Sequence, residues 1–243
     1  MSERLDRALV SRGLVKSRNQ GREFILDGLV RVDGATVRRP AQTVAPEQTL
    51  ALDPAASEHR VGRGYDKLSR FLSVHPVEFE ARGVVDGGAC TGGFTQVALE
   101  RGAAWVLAVE LGEGQLDPSL AADPRVTSLE KTDLLTLETL PAPCDVLLLD
   151  LSFTSLKSIL PALRLPLAEG ARMIALVKPQ FEAPAKALTA AGRLRDASVA
   201  TRLVEAVLDC ARTEGWEILA TEPVALGPDQ RQEETFVLAR RAQ

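Results

Sequence analysis

Two residues, Asp150 and Lys178, have the chemical type and the setting to manage a proton at a reacting centre. Each ends an apolar run: Leu147-Leu148-Leu149 leads into Asp150, and Leu176-Val177 leads into Lys178, followed by Pro179-Gln180-Phe181-Glu182. An aspartate near a lysine can be a plain ion pair, but at the open edge of a sheet the same pair can hold or take a proton as charge develops. Upstream lies Asp86-Gly87-Gly88-Ala89-Cys90-Thr91-Gly92-Gly93-Phe94-Thr95. Its glycines allow sharp turns and close approach of a ligand to the backbone. It is not a GxGxxG dinucleotide fingerprint, and no Lys-Ser or Lys-Thr follows the glycines as a phosphate-binding P-loop requires. Asp86 would repel a phosphate and suits an amino group. Glu110 closes the next apolar run, where a carboxylate can hold ribose hydroxyls, and Asp133 follows the third, within reach of an adenine. Helix caps and ligand-free glycine turns explain each of these residues singly. Three carboxylates on successive strand ends beside a glycine loop point instead to S-adenosylmethionine, held by residues 86–95, Glu110 and Asp133.

These side chains need a frame. From about residue 64, short β-rich runs alternate with helical ones: Gly83–Asp86, Trp105–Glu110, Val126–Leu129, Asp145–Asp150, Met173–Val177 and Trp216–Ala220 read as strands, with Phe236–Ala239 as a last, edge strand. Such alternation implies a mostly parallel sheet covered by helices on both faces. Ligands bind beyond the carboxyl ends of such strands, near the point where strand order reverses. The candidate residues fall at those ends.

The first fifty-odd residues have a different grammar. Leu5, Ala8 and Leu9 space one face of a short helix ended by Gly13. Ser17 and Gln20 form a capping box for a second helix with Phe24, Ile25 and Leu26 buried and Gly28 at its end. Leu29-Val30-Arg31-Val32, Asp33-Gly34 and Ala35-Thr36-Val37 make a hairpin signal. Between Arg4 and Arg39 there are nine basic residues against four acidic ones, on a chain whose net charge is −4. A basic module on an acidic body is an arrangement for binding RNA. The pattern Arg4-Leu5-Asp6, Ser17-Arg18, the turn from Gly28 to Gly34 and Arg39-Pro40 resembles the S4 RNA-binding fold. That resemblance implies a small α+β domain, with Arg4, Lys16, Arg18, Arg22 and Arg38 as phosphate contacts that give affinity but little sequence readout. Pro46, Pro54 and the polar stretch 55–59 place a boundary, dividing the chain into an RNA-binding domain over 1–53, a linker over 54–63 and a catalytic domain over 64–243.

Composition excludes several classes. Cys90, Cys144 and Cys210 form no CxxC pair, and His59 and His75 are the two histidines, so neither a zinc site nor a disulfide framework is expected and a reducing, cytoplasmic setting fits. No apolar run approaches the roughly 20 residues of a membrane-spanning helix, and the charged N-terminus does not resemble a signal peptide. No membrane partner is expected, and nothing in the residues sets an oligomeric state.

Four stretches carry a nearly end-to-end resemblance: Arg63-Gly64-Tyr65-Asp66-Lys67-Leu68, Asp86–Thr95, Asp150-Leu151-Ser152-Phe153-Thr154-Ser155-Leu156 and Val177-Lys178-Pro179-Gln180-Phe181-Glu182. The chain resembles the TlyA family, S4-domain proteins with an FtsJ-like methyltransferase domain. The resemblance implies a Rossmann-like methyltransferase fold on a mostly parallel seven-stranded sheet. It also implies 2′-O-methylation of cytidine in ribosomal RNA or ribosomal subunits, with S-adenosylmethionine as cofactor and no metal. A Lys-Asp-Lys-Glu tetrad carries over as Lys67, Asp150, Lys178 and Glu234. In that reading Lys178 is the principal base or alkoxide stabiliser, Lys67 positions the ribose, and Asp150 also lies near the methyl-donor sulfonium. The chain departs from the family pattern at three places. Cys90 stands where serine is expected, Asp133 where relatives often have asparagine, and Arg231-Gln232-Glu233-Glu234 replaces a Gly-Asn-x-Glu pattern, which leaves Glu233 as a rival to Glu234. Phe153 and Phe181 are read mainly as core, with stacking on a base or on adenine as the other use. Three competing functions are weighed: a pore-forming haemolysin, a non-catalytic RNA-binding or ribosome-assembly factor, and a pseudouridine synthase. The first lacks a membrane-length segment, the second leaves the lysines and Asp150 unexplained, and the third lacks its expected aspartate motif.

Overall fold

The computed structural model describes residues 2–15, 18–53, 61–137, 139–224 and 233–242. Lys16, Ser17 with its capping box, residues 54–60 of the linker with His59, and Arg231 and Gln232 lie outside the described residues.

The N-terminal module runs β1 (Glu3–Arg4), α1 (Leu5–Ser11), α2 (Arg18–Leu26), β2 (Val30–Val32), β3 (Ala35–Thr36), β4 (Thr43–Val44) and β5 (Leu50–Leu52). Both expected helices and the hairpin are present. Asp33 and Gly34 take φ of 50° and 83°, the backbone a tight two-residue hairpin turn demands. β4 and β5 are additions: β4 pairs with β1, and β5 pairs with β2 to make the order β3-β2-β5. Leu5, Leu9, Phe24, Ile25, Val30 and Val32 are buried together in a core drawn only from this module.

The remaining elements are α3 (Gly62–Val74), β6 (Gly83–Gly87), α4 (Gly93–Glu100), β7 (Trp105–Val109), α5 (Pro118–Ala121), β8 (Val126–Leu129), β9 (Cys144–Leu149), α6 (Leu156–Ala162), β10 (Leu167–Val177), α7 (Pro179–Glu182), α8 (Ala200–Thr213), β11 (Trp216–Pro223) and β12 (Thr235–Arg241). The seven strands form one sheet in the order β11-β12-β10-β9-β6-β7-β8. Every neighbouring pair is parallel except those involving β12, which runs antiparallel to both β10 and β11. Strand order reverses at β6, flanked by β7 on one side and β9 on the other. Two separate cores cover the two faces, one with α6 and α8 and one with α3 and α4. Among the described residues no helix is long and apolar enough to cross a membrane.

One expectation is corrected. The run Phe236–Ala239 is not an edge strand; β12 is inserted between β10 and β11, and β11 is the edge. Phe236, Val237, Leu238 and Ala239 are all buried, as an uninterrupted apolar run between two strands should be. β11 instead alternates more and less covered positions along its length, the signature of a strand with weaker cover.

Candidate active site

Register sets the site. Gly87 pairs with Val109 and Leu149, Val109 with Leu129, and Val177 with Thr235. The residues that follow β6, β7, β9 and β10, and the residue that precedes β12, therefore line one edge of the sheet. Glu110, Asp150, Lys178 and Glu234 all leave the sheet there.

The glycine loop is braced from three sides. Asp150 N–H donates to Gly87 O at 3.1 Å, tying the end of β9 to the end of β6. Gly88 (φ 82°) lies so close to this strand that a Cβ would stand 2.8 Å from Asp150 O. A Cβ on Gly93 would lie 2.6 Å from Tyr65 N, at the start of α3. These two glycines thus serve close contact between protein backbones, where the sequence suggested approach to a ligand. Glu110 accepts from Cys90 N–H (3.1 Å) and Gly112 N–H (2.8 Å), joining the loop to the end of β7. A carboxylate has about four acceptor sites, so two backbone donors leave room for ribose hydroxyls. Cys90 (φ 48°) is exposed and sits against Gln115, with Sγ 3.3 Å from Oε1.

Asp86 is fully buried. Its Oδ2 accepts from Thr95 Oγ1 at 2.6 Å, while Oδ1 has no partner among the described residues. Burial pushes its carboxyl up to about 7, opposed by the Thr95 hydrogen bond and reinforced by the charges of Asp150 and Glu110. An unmatched buried acceptor is costly unless a ligand completes it. A cationic amino group is the natural complement. On this observation the residues suit S-adenosylmethionine: Asp86 and the loop for the methionine end, Glu110 for the ribose. Asp133 accepts from Leu135 N–H and caps the short helix Leu134–Thr136, so a cap is its visible role.

Further along the same sheet edge, Lys178 is 9% exposed. Its Nζ lies 2.6 Å from Asp150 Oδ1, an ion pair that is close but not aligned as a hydrogen bond. Nζ donates to Leu151 O (3.0 Å) and Ser152 Oγ (3.2 Å). Lys67, from α3, donates to Glu234 Oε2 at 2.6 Å, and one further step of the β10–β12 register sets Glu234 beside Lys178. The four residues thus form two ion pairs at one edge of the sheet, and Glu234, less exposed than Glu233, is the one that Lys67 holds. Phe153 is 90% exposed with φ 62°, and its ring stands 5.2 Å from that of Phe181, which lies 5.8 Å from Lys178 Nζ. For Phe153 the core expectation is overturned.

Two functional braces escaped sequence reasoning. Glu130 accepts from the N–H groups of Gly114, Gln115 and Leu116, and these bonds hold its carboxyl below the usual range. It is a carboxylate directly after β8, the same signal that singled out Glu110. Glu182 is buried and accepts from Leu156 N–H (2.7 Å) and Ser155 Oγ, fastening the segment after Asp150 to the segment after Lys178. Among the arginines expected at RNA, Arg4 and Arg18 both bind the buried Asp6, and the Arg4 hydrogen bond leads in lowering its carboxyl. Arg38 donates to Leu26 O at the end of α2, and Arg22 is exposed.

Comparison with known proteins gives the family. The model of the FtsJ-like methyltransferase family matches residues 60–241, and that of the S4 domain matches residues 3–50. A Mycobacterium tuberculosis protein, 16S/23S rRNA (cytidine-2′-O)-methyltransferase TlyA, is 40% identical over 228 residues, covering 93% of this chain and 85% of that protein. Hemolysin A of Brachyspira hyodysenteriae is 30% identical over 217 residues, covering 85% of this chain and 88% of its own length. A solved Streptococcus thermophilus protein bearing a hemolysin label is 31% identical, with a TM-score of 0.76 over 100% of this chain and 89% of that one.

Proposed function

The chain belongs to the FtsJ-like methyltransferase family, as an S-adenosylmethionine-dependent enzyme with an S4 domain, and from that membership we propose that it methylates the ribose 2′-hydroxyl of a cytidine in ribosomal RNA. The observation that carries this reading is the joining of Asp150–Lys178 and Lys67–Glu234 at one sheet edge, beside the glycine loop. The S4 module supplies RNA affinity, the substrate is a ribosomal subunit or its RNA, and the setting is the cytoplasm.

S-adenosylmethionine supplies, when bound, an electrophilic methyl group on a sulfonium. The chain's residues do the rest. Asp86 and Glu110 hold the two ends of the cofactor. Lys178, hydrogen-bonded to Leu151 O and Ser152 Oγ and charge-paired with Asp150, presents a cation to the 2′-oxygen and favours the negative charge that grows there. The Lys178 ammonium already carries its full set of protons, so the hydroxyl proton passes to the Asp150 carboxylate and on to solvent as the 2′-oxygen takes the methyl group. Lys67, fixed by Glu234, orients the ribose. Holding the acceptor oxygen in line is worth several powers of ten by itself.

Phe153 gives the site a platform. Backbone strain at an aromatic with positive φ costs about 1–3 kcal/mol and is characteristic of functional positions. An exposed ring beside the pair that handles the hydroxyl can stack on the base of the target nucleotide. Phe153→Ala is expected to raise KM for RNA by about tenfold, within the range of one lost base stack, with cofactor Kd unchanged. Unchanged steady-state constants would reduce Phe153 to an ordinary exposed side chain.

The reaction is tested by incubating the purified chain with tritiated methyl donor and ribosomal subunits that lack the corresponding methyl groups, then mapping 2′-O-methylation. Label on one ribose is the expected result. Cofactor binding with no label on subunits or free RNA would overturn the substrate, and label on a base would overturn the reaction.

A further inference from the structure

A cleft of about 150 Å³ opens beside the catalytic quartet, between α3 and the ends of β11 and β12. Lys67 and Arg70 face it from α3, three residues apart and so on one side of the helix. Phe71 and Phe236, both buried, close it from beneath, and the exposed Pro223 borders it. Val224 N–H donates to Glu234 O, so the cleft wall and the partner of Lys67 are one piece of structure. Two acidic residues, Asp66 and Glu222, border the cleft. Glu222 is engaged by His75, with Nε2 2.9 Å from its Oε2. Lys67 is engaged by Glu234. Arg70 is exposed, and no carboxylate lies within ion-pair distance of its guanidinium among the described residues.

We propose that this cleft is a backbone subsite for the RNA strand, in which Arg70 binds the phosphodiester next to the target ribose. The inference rests on the RNA-methyltransfer reading of the neighbouring quartet. Arginine presents a planar fork of donors that matches a phosphate geometrically. The mixed rim selects among anions. A phosphodiester carries one negative charge and comes with a base whose N–H edge can meet a carboxylate, whereas a free phosphate dianion would meet Asp66 and Glu222 as repulsion. The space of about 150 Å³ admits a backbone phosphate and not a whole nucleotide unit, which leaves the adjoining base at the rim of the cleft. Lys67 sits at the junction. It lines the cleft and also holds Glu234, which lets occupation of the subsite set the ribose in register for transfer.

The test uses the full chain, ribosomal subunits lacking the methyl groups, and the variants Arg70→Ala and Arg70→Lys. Equilibrium binding of subunits is measured across a salt series, and turnover with tritiated donor is measured in parallel. Arg70→Ala is expected to weaken binding by about tenfold and to flatten the salt dependence by about one phosphate contact. KM for subunits should rise in step while kcat and cofactor Kd stay near wild type, and Arg70→Lys should recover most of the salt slope. Binding and salt slope equal to wild type in Arg70→Ala would overturn the subsite, as would a fall in kcat with KM unchanged. If subunits bind with the expected difference but no variant, wild type included, transfers label, the subsite stands and the methyl-transfer reading fails.

Discussion

Lys178→Ala is expected to lower kcat by on the order of 10²–10³-fold, the usual cost of removing one preorganised donor from a developing oxyanion, while cofactor Kd and subunit KM change by less than a few-fold. The reason is the placement of Nζ. It is nearly buried, lies 2.6 Å from Asp150 Oδ1, and has two more acceptors in Leu151 O and Ser152 Oγ. Such a cation is held in place before the substrate arrives, so it contributes to the transition state without reorganising. Lys178→Arg separates charge from proton handling, because a guanidinium keeps the positive charge but does not give up its proton near neutral pH. Partial activity in Lys178→Arg assigns the lysine to charge stabilisation. A variant as inactive as Lys178→Ala assigns it to the proton, provided the Arg variant still binds subunits. Single-turnover kinetics with saturating donor reads the step directly. A Lys178→Ala rate within tenfold of wild type would remove Lys178 from the chemistry and leave the quartet as an ion-pair brace.

Much of this site was legible because buried parallel strands write themselves as unbroken apolar runs. Leu147-Leu148-Leu149 and Met173–Val177 admit few other readings, and a polar residue directly after such a run must emerge at the sheet's edge. That logic placed Asp150 and Lys178 from their neighbours alone. It failed for Phe236–Ala239, where the run is just as apolar but the lateral order of strands is decided by a pairing with β10, more than fifty residues away in sequence, as well as by one with the nearer β11. The choice between Glu233 and Glu234 was illegible for the same reason: it depends on which residue the β10–β12 register sets opposite the end of β10. Period-two alternation flips side chains at every step, so register settles what composition leaves open.

The glycines show a different limit. Both the turn at Gly88 and the start of α4 at Gly93 were expected to be small for a ligand's sake. The atoms that would meet a Cβ there belong to Asp150 and Tyr65, so the loop is packed against its own protein before any cofactor enters. Sequence type says that a position must be small, not which neighbour requires it. Glu182 is the converse case. Lys178-Pro179-Gln180-Phe181-Glu182 was distinctive as a family signature, yet its glutamate acts by tying the Ser155–Leu156 turn to the catalytic strand ends.

The second large effect is expected at Asp86. An unfolded aspartate loses its proton near 3.8, whereas burial holds the folded carboxyl protonated up to about 7. The folded state therefore binds more protons between these values, and the cofactor-free protein loses stability as pH rises through that window, by on the order of 4 kcal/mol in total. A bound ammonium group reverses the preference, because it requires the carboxylate. Cofactor binding should then release a proton at acid pH, and affinity should climb with pH by up to about tenfold per unit before levelling near 7. Titration calorimetry from pH 5.5 to 7.5, in buffers of different ionisation enthalpy, reads both the affinity and the released proton. Asp86→Asn keeps the shape and the Thr95 contact but cannot carry the charge. It is expected to bind the cofactor about tenfold to a hundredfold more weakly, the range of a lost charge-assisted hydrogen bond, with the pH dependence gone. The same variant should be more stable than wild type at pH 7 in the absence of cofactor, since it no longer ionises in the core. A wild-type affinity that is flat over this range, with no proton released, would mean that Asp86 stays neutral in the complex and braces Thr95 and the glycine loop instead of holding the cofactor's amino group.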